Sequence, residues 1–224
     1  MQKLLIACVL VAGLALTMGF SLQSAASSPE TNALLDAIQK QYEKMQTFRA
    51  HFSQVLVNSA SRETERRSGR VSMKRPGLIR WETLEPEKEL LVATKDVVWD
   101  YFETEKTAYK YKASEILDSK TMLHFLDGTT RLDKDFEVVN AGAEDGLTRL
   151  DLTPREPEPG LVQASIWAEP ATGLIKRISM VDFYGNENVV AFTDMSLNPP
   201  LDDGLFSFTP PAGVEVFDNT VDES

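Results

Sequence analysis

Arg70-Val71-Ser72-Met73-Lys74-Arg75-Pro76-Gly77-Leu78-Ile79-Arg80-Trp81 is the stretch from which the fold is read. Val71 and Met73 alternate with Arg70, Ser72 and Lys74, and Ile79 and Trp81 alternate with Leu78, Arg80 and Glu82, the period of strands with one apolar face. Between them Lys74-Arg75-Pro76-Gly77 makes a tight turn, because proline pre-sets φ at the second turn position and glycine supplies dihedrals that other residues avoid. The segment is a hairpin. Outward from it the same period continues: Phe48, Ala50, Phe52 and Leu56 alternate with Arg49, His51, Ser53 and Val55. Lys88 to Thr94, Val97 to Phe102 and Thr107 to Lys112 are short strands with separators of hairpin length. Phe136 to Val139, Thr148 to Leu152, Leu161 to Ala168, Leu174 to Val181 and Val189 to Met195 repeat the pattern. Short antiparallel strands in this rhythm predict a mainly β meander that closes into a barrel or sandwich.

Two segments break the rhythm. Ser28-Pro29-Glu30 opens a helix with a capping hydroxyl, a first-turn proline and an acid at the positive dipole end. Leu34, Leu35, Ile38, Tyr42 and Met45 then follow a helical period to about Gln46, so this helix needs an apolar surface to lie on. Ala113 to Gly128 carries Ile116, Leu117, Met122, Leu123, Phe125 and Leu126 and ends on a glycine stop. Periodicity alone reads it as a helix on the outer edge of the sheet, with a lid over a barrel mouth as the alternative. The chain closes with Leu205 to Pro211, Gly213 to Val216 and an acidic tail.

The N-terminus predicts export. Lys3 precedes the apolar run Leu4 to Phe20, and Ser24-Ala25-Ala26 offers a cleavage site, giving a signal peptide over 1–26, one domain over 27–217 and a tail over 218–224. An uncleaved anchor is the competing reading. Leu5-Ile6-Ala7-Cys8 has the letters of a lipobox, but too few residues precede it for a normal signal. Cleavage after Ala26 removes the one cysteine and with it thiol chemistry and disulfides. A net charge of −11 argues against a general nucleic-acid binder, and 42% hydrophobic residues supply a real core.

Catalytic chemistry is scarce. His51 and His124 are the two histidines, too few ligands for a His/Cys zinc site, and neither belongs to a hydrolase motif. Glu82, Glu85, Glu87 and Glu89, and Glu156 with Glu158, read as solvated acidic loops rather than a catalytic carboxylate pair. No glycine-rich phosphate loop is present, and no cofactor or metal is implied. The basic run Arg62, Arg66, Arg67, Arg70, Lys74, Arg75 and Arg80 opposes the overall sign; it reads as a charged strand face that blocks edge pairing, or as a docking patch. What remains is apolar and aromatic residues in strands. They either fill a barrel or leave a cavity for an apolar ligand, for which each buried methylene is worth ~0.8 kcal/mol.

Five segments in order resemble the LolA family of outer-membrane lipoprotein carriers. After the N-terminal helix come Phe48-Arg49-Ala50-His51-Phe52-Ser53-Gln54, similar to F-x-A-x-F-x-Q, and Gly69 to Pro76, similar to G-x-v-x-x-K-R-P with Trp81 beyond it. Val98-Trp99-Asp100-Tyr101 is similar to v-W-x-Y, and Phe206 to Val214 to F-x-F-x-P-P-x-G-V. The resemblance implies an incomplete antiparallel β-barrel, here of about 11 strands by the segments above, covered by a helical lid that takes in Ala113 to Gly128. It implies a non-enzymatic periplasmic monomer that takes acylated lipoproteins from an inner-membrane ABC transporter (LolCDE-like) and hands them to an outer-membrane receptor (LolB-like). A lipid or glycolipid carrier and an envelope-stress sensor share the fold and stand as alternatives. By the same resemblance Arg75 contacts the lid and governs release. Alternation assigns the acyl-chain cavity to Phe52, Met73, Ile79, Trp81, Trp99, Tyr101, Met122 and Phe125.

Overall fold

The computed structural model describes residues 28–114, 130–156 and 159–221. Residues 1–26, expected to be a signal peptide, and Met122, His124 and Phe125 of the segment expected to form a lid lie outside the described residues.

Helix α1 spans Pro29–Lys44. Ser28 Oγ accepts from the Thr31 amide at 3.2 Å, satisfying one of the free N–H groups of the first turn. The helix ends where Met45 turns to extended dihedrals and leads directly into the sheet. The strands are β1 (Thr47–Val57), β2 (Thr64–Lys74), β3 (Leu78–Glu85), β4 (Glu89–Ala93), β5 (Val97–Phe102) and β6 (Thr107–Lys112). After the short helix α2 (Leu132–Asp135) come β7 (Phe136–Glu144), β8 (Leu147–Pro154), β9 (Gln163–Ala168), β10 (Ile175–Val181), β11 (Glu187–Leu197) and β12 (Glu215–Asp218).

All twelve strands form one sheet in the order β12-β6-β5-β4-β3-β2-β1-β11-β10-β9-β8-β7. Among the described residues the order joins two meanders through the β1–β11 pairing and leaves β7 and β12 as unpaired edges, so the barrel is incomplete. Pairing is antiparallel except for β12 on β6, which is parallel. That short strand is the one alternation misses. It draws in Asp218, whose carboxylate meets Lys110 Nζ at 3.0 Å.

One hydrophobic cluster contains Phe48, Ile79 and Val98 from one half of the sheet and Leu150, Ile166, Ile178 and Phe192 from the other, together with Leu34, Leu35, Ile38 and Tyr42 of α1. Residues so far apart in strand order share a core because the sheet curls around α1. Burial of each large α1 side chain contributes roughly 2 kcal/mol.

Two glycines allow close approach. A Cβ on Gly69 would meet the Glu82 carbonyl oxygen and would crowd Phe52 Cε1 at 2.9 Å. Gly173, at φ +71°, lies in the β9–β10 turn, where a Cβ would come within 2.6 Å of the Ala37 and Ile38 backbone. The turn therefore backs directly onto α1.

The convex face has its own cover. Residues 199–211 run across it; Arg80 Nη1 donates to the Leu205 carbonyl and Lys74 Nζ to that of Leu201. Phe208 packs on Trp99 and Tyr101, with ring centroids 5.6 and 5.3 Å away. On the other half Trp167 lies between the guanidinium groups of Arg177 (3.9 Å) and Arg149 (5.2 Å), and its indole N–H donates to Glu144.

Candidate ligand-binding site on the concave face

Register defines the concave face row by row. Phe48 pairs with Met73, Met73 with Ile79, Ile79 with Ala93 and Ala93 with Val98, so these side chains form one band. The next band runs Ala50, Val71, Trp81, Leu91 and Asp100, and a third runs Phe52, Gly69, Thr83, Glu89 and Phe102. Phe52 and Trp81 pack with ring centroids 4.3 Å apart and planes tilted by 35°, over the space that Gly69 leaves. The floor is thus apolar near β1 to β3 and turns polar toward β4 and β5.

The two ends of the curled sheet differ. At the end where β1 begins, α1 closes the core and the hairpin turn holds it. Arg75 Nη2 donates to the Tyr42 carbonyl at 2.7 Å and Nη1 to the Glu43 carbonyl at 3.2 Å. The Arg75 amide also donates to the Gln46 carbonyl at 2.9 Å. Carbonyls in the last turn of a helix lack intrahelical donors and carry the negative dipole end, so a guanidinium fork satisfies both needs. Gly77 at φ +67° completes the reversal that aims Arg75 at the helix. Deeper in, the Tyr42 hydroxyl accepts from the Ile175 amide at 3.2 Å, and its burial pushes the phenol pKa up.

Among the described residues the opposite end is open. A cavity of about 880 Å³ is lined by Leu56, Glu65, Met180, Asp182 and Asn188, among others. A second, of about 400 Å³, is lined by Arg67, Thr83, Glu89 and Phe102. The first is of the size that holds small organic ligands.

A charged group sits on the concave face. Arg67 Nη1 donates to Glu89 Oε2 at 2.9 Å and Nε to Glu65 Oε1 at 2.7 Å. Burial first, then the neighbouring charge of Glu89, push the Asp100 carboxyl up to about 7, against the pull of Arg67. Beside it Tyr109 stacks on Tyr111 (6.3 Å) and on Phe217 (5.2 Å) and meets Phe102 edge-on (6.1 Å).

Of the residues assigned to the cavity by alternation, Phe52, Met73, Ile79 and Trp81 come together on the concave face. Trp99 and Tyr101 do not. Val98 and Asp100 take the concave side of β5, which puts both aromatics on the convex side against Phe208. Alternation picks the wrong phase in β5, because its largest apolar residues are covered by a segment over a hundred residues away. Phe102, Tyr109, Tyr111, Glu89 and Asp100 escape it for the same reason. An aspartate alternating with aromatics is the signal that could have found them.

The basic run is largely spent within the fold. Arg67, Arg70, Lys74 and Arg80 pair with Glu89, Glu82, Asp203 and Glu82, and Arg75 reaches α1. His51 pairs with Asp194 at 2.9 Å on the exposed outer surface. Among the described residues, no cluster of three or more His, Cys, Asp or Glu is placed to hold a metal ion, and no helix is long and apolar enough to cross a membrane.

An open sheet curled around an apolar floor, closed by a helix at one end and open at the other, defines a half-barrel binding protein. Residues 43–209 match the family described as outer membrane lipoprotein carrier protein LolA. The chain is 33% identical over 167 residues to an outer-membrane lipoprotein carrier protein of Xanthomonas campestris pv. campestris, covering 74% of this chain and 78% of that one. It is 28% identical over 170 residues to the carrier protein of Dechloromonas aromatica, covering 76% and 80%. A crystal structure of an uncharacterized conserved protein from Thermus thermophilus shares the fold at TM-score 0.54 and 14% identity, covering 84% of this chain and 98% of that one. The chain belongs to the LolA family.

Proposed function

We propose that this protein is a periplasmic chaperone for lipoproteins. It receives acylated lipoproteins released from the inner membrane, shields their acyl chains on the concave face, and delivers them to an outer-membrane receptor. The observation that carries the reading is the apolar concave face built by Phe52, Met73, Ile79 and Trp81 in a chain of this family, with a separate cavity of about 880 Å³ toward the far end of the sheet. A chain of 16 carbons gains on the order of 10 kcal/mol on burial before binding costs, so no covalent or catalytic step is needed to hold it.

In this reading residues 1–26 direct export and are removed, a LolCDE-like ABC transporter loads the carrier, a LolB-like receptor unloads it, and the carrier works as a monomer without enzymatic activity. Arg75 is the release residue: its fork ties the β2–β3 turn to α1, and loosening it opens the closed end. Inner-membrane vesicles supplied with transporter, ATP and this protein release lipoproteins into the soluble fraction as a stoichiometric complex. Failure to release them, with the transporter active toward a known carrier, refutes the reading.

A further inference from the structure

Two large aromatic side chains stand out of the surface side by side. Phe183 and Tyr184, in the β10–β11 turn, are 73% and 76% exposed, the most exposed large hydrophobic residues among those described. Their rings meet edge-on with centroids 5.8 Å apart. The turn that carries them is fixed. The Asp182 carboxylate accepts from the amides of Tyr184 (2.9 Å) and Asn186 (2.8 Å) and from the Asn186 side chain (2.8 Å). The Phe183 amide donates to the Pro159 carbonyl at 2.9 Å, and Ser59 Oγ donates to the Tyr184 carbonyl. Aromatic rings held out on a pinned turn lose little conformational entropy when they meet a partner.

The size of the patch selects the partner. Two such rings offer roughly 300 Å², against about 800 Å² per side in a stable protein interface. A lipid surface asks for less, because aromatic rings settle at the boundary between headgroups and acyl chains. Charge selects the lipid. Glu63, Glu65, Asp182 and Glu187 line the open-end cavity, and Asp182 and Asn186 flank the aromatic pair at its rim. Those acids repel an anionic surface and leave a zwitterionic one accessible. We propose that the β10–β11 turn is where this protein touches a zwitterionic lipid surface, with Phe183 and Tyr184 entering the headgroup boundary. The contact sets the cavity rim at the bilayer; on the carrier reading this shortens the path of an acyl chain through water, while the contact itself needs no cargo.

Two rings make a transient contact, each strengthening partitioning about tenfold. Nuclear magnetic resonance on cargo-free, isotope-labelled protein reads it residue by residue, with phosphatidylcholine bicelles that carry a trace of gadolinium-chelating lipid. Amides of residues 182–186 and 58–60 relax fastest, and those around Arg75 and the end of α1 are unaffected. Replacing a third of the phosphatidylcholine by phosphatidylglycerol weakens the effect. Phe183→Ser with Tyr184→Ser, a change to exposed side chains that keeps the turn's hydrogen bonds, lowers it about a hundredfold, and Phe183→Trp preserves it. Relaxation spread evenly or centred elsewhere, an effect unchanged in the double variant, or one strengthened by phosphatidylglycerol overturns the proposal. Broadening of the same amides with protein concentration in the absence of lipid assigns the pair to a second copy of the chain and overturns it too. Each readout is made without cargo, so failure here is distinct from failure of the carrier reading.

Discussion

Replacing Arg75 by leucine removes the two side-chain hydrogen bonds to the end of α1 and keeps the backbone contact, since the residue 75 amide still donates to Gln46. Of the carbonyls left behind, that of Glu43 is exposed and can be hydrated and that of Tyr42 keeps the Met45 amide at 3.3 Å, so each lost bond costs about 0.8 kcal/mol rather than the full penalty of a buried orphan. Loss of positive charge from the helix C-terminus adds roughly 0.5 kcal/mol. The sum is about 2 kcal/mol on the docking of α1, a shift of about 30-fold in its closed-to-open ratio. Native-state hydrogen exchange reads this directly. Amides of residues 34–45 exchange about 30-fold faster in Arg75→Leu, while amides elsewhere in the sheet that exchange through local openings with α1 still docked do not change. Arg75→Lys, a point charge without the fork, falls between the two. Uniform acceleration of every amide, or none in α1, refutes the clasp.

Gly173→Ala must adopt φ +71° with its Cβ within 2.6 Å of the α1 backbone; the strained dihedral and the displaced helix together cost about 3 kcal/mol, read as a lower urea midpoint, and a loss under about 1 kcal/mol would show that the turn can back away. Asp100, with its pKa raised to about 7 in the fold, binds its proton more tightly than the unfolded chain does. Its stability contribution is therefore complete below the ordinary carboxylate range and lost as pH rises from about 4 to about 7. Discounted for partial exposure the loss is about 2 kcal/mol, so Asp100→Asn is more stable than wild type by that amount at about pH 8 and equal to it at about pH 4; parallel pH profiles in urea titrations contradict this. Phe208→Ala uncovers Trp99 and Tyr101 and costs about 2 kcal/mol, with a red shift in tryptophan emission before global unfolding; no shift would mean that residues 199–211 are not what covers that face. Met180→Trp fills part of the open-end cavity and slows acyl-chain loading several-fold in a stopped-flow assay with a fluorescent fatty acid, unless entry uses the other end.

Local patterns made much of this fold legible. The capping of α1 by Ser28 and Pro29, the apolar stripe of Leu34, Leu35 and Ile38, and the period-two runs through β1, β2 and β3 each fix a local structure whose burial agrees with it. The turn at Arg75 was legible too, because proline and glycine act through their own dihedrals. What alternation leaves open is which face of a strand is inside when both faces are covered. In β5, Val98 is buried by the core and Trp99 is covered by Phe208, so size and hydrophobicity cannot choose between them. The four-residue β12 has the same difficulty in sharper form. Its parallel pairing with β6 is a long-range choice with no local signature. The Arg67–Glu89–Asp100 group was invisible because its members come from three strands and meet only through register.

The two ends of the curled sheet set a limit on how cargo can leave. At the closed end, α1 is held by its apolar stripe, by the Tyr42 bond to Ile175, by the Gly173 turn at its back and by Arg75. The stripe is the large contribution, several kcal/mol, and the Arg75 contribution is about 2 kcal/mol. Arg75 is thus too weak to hold the fold together and strong enough to set how often that end loosens. Destabilising the clasp changes the rate of opening without exposing the whole core, which is the behaviour a carrier needs if it is to release acyl chains and remain folded. At the open end nothing of comparable strength among the described residues opposes entry. If cargo enters and leaves by the open cavity, Met180→Trp alters both loading and release and Arg75→Leu alters neither. If release goes through the closed end, Arg75→Leu accelerates it while Met180→Trp affects loading alone. The energy of the clasp favours the second pattern, because a contact worth a factor of about 30 has its effect on a step that must break it.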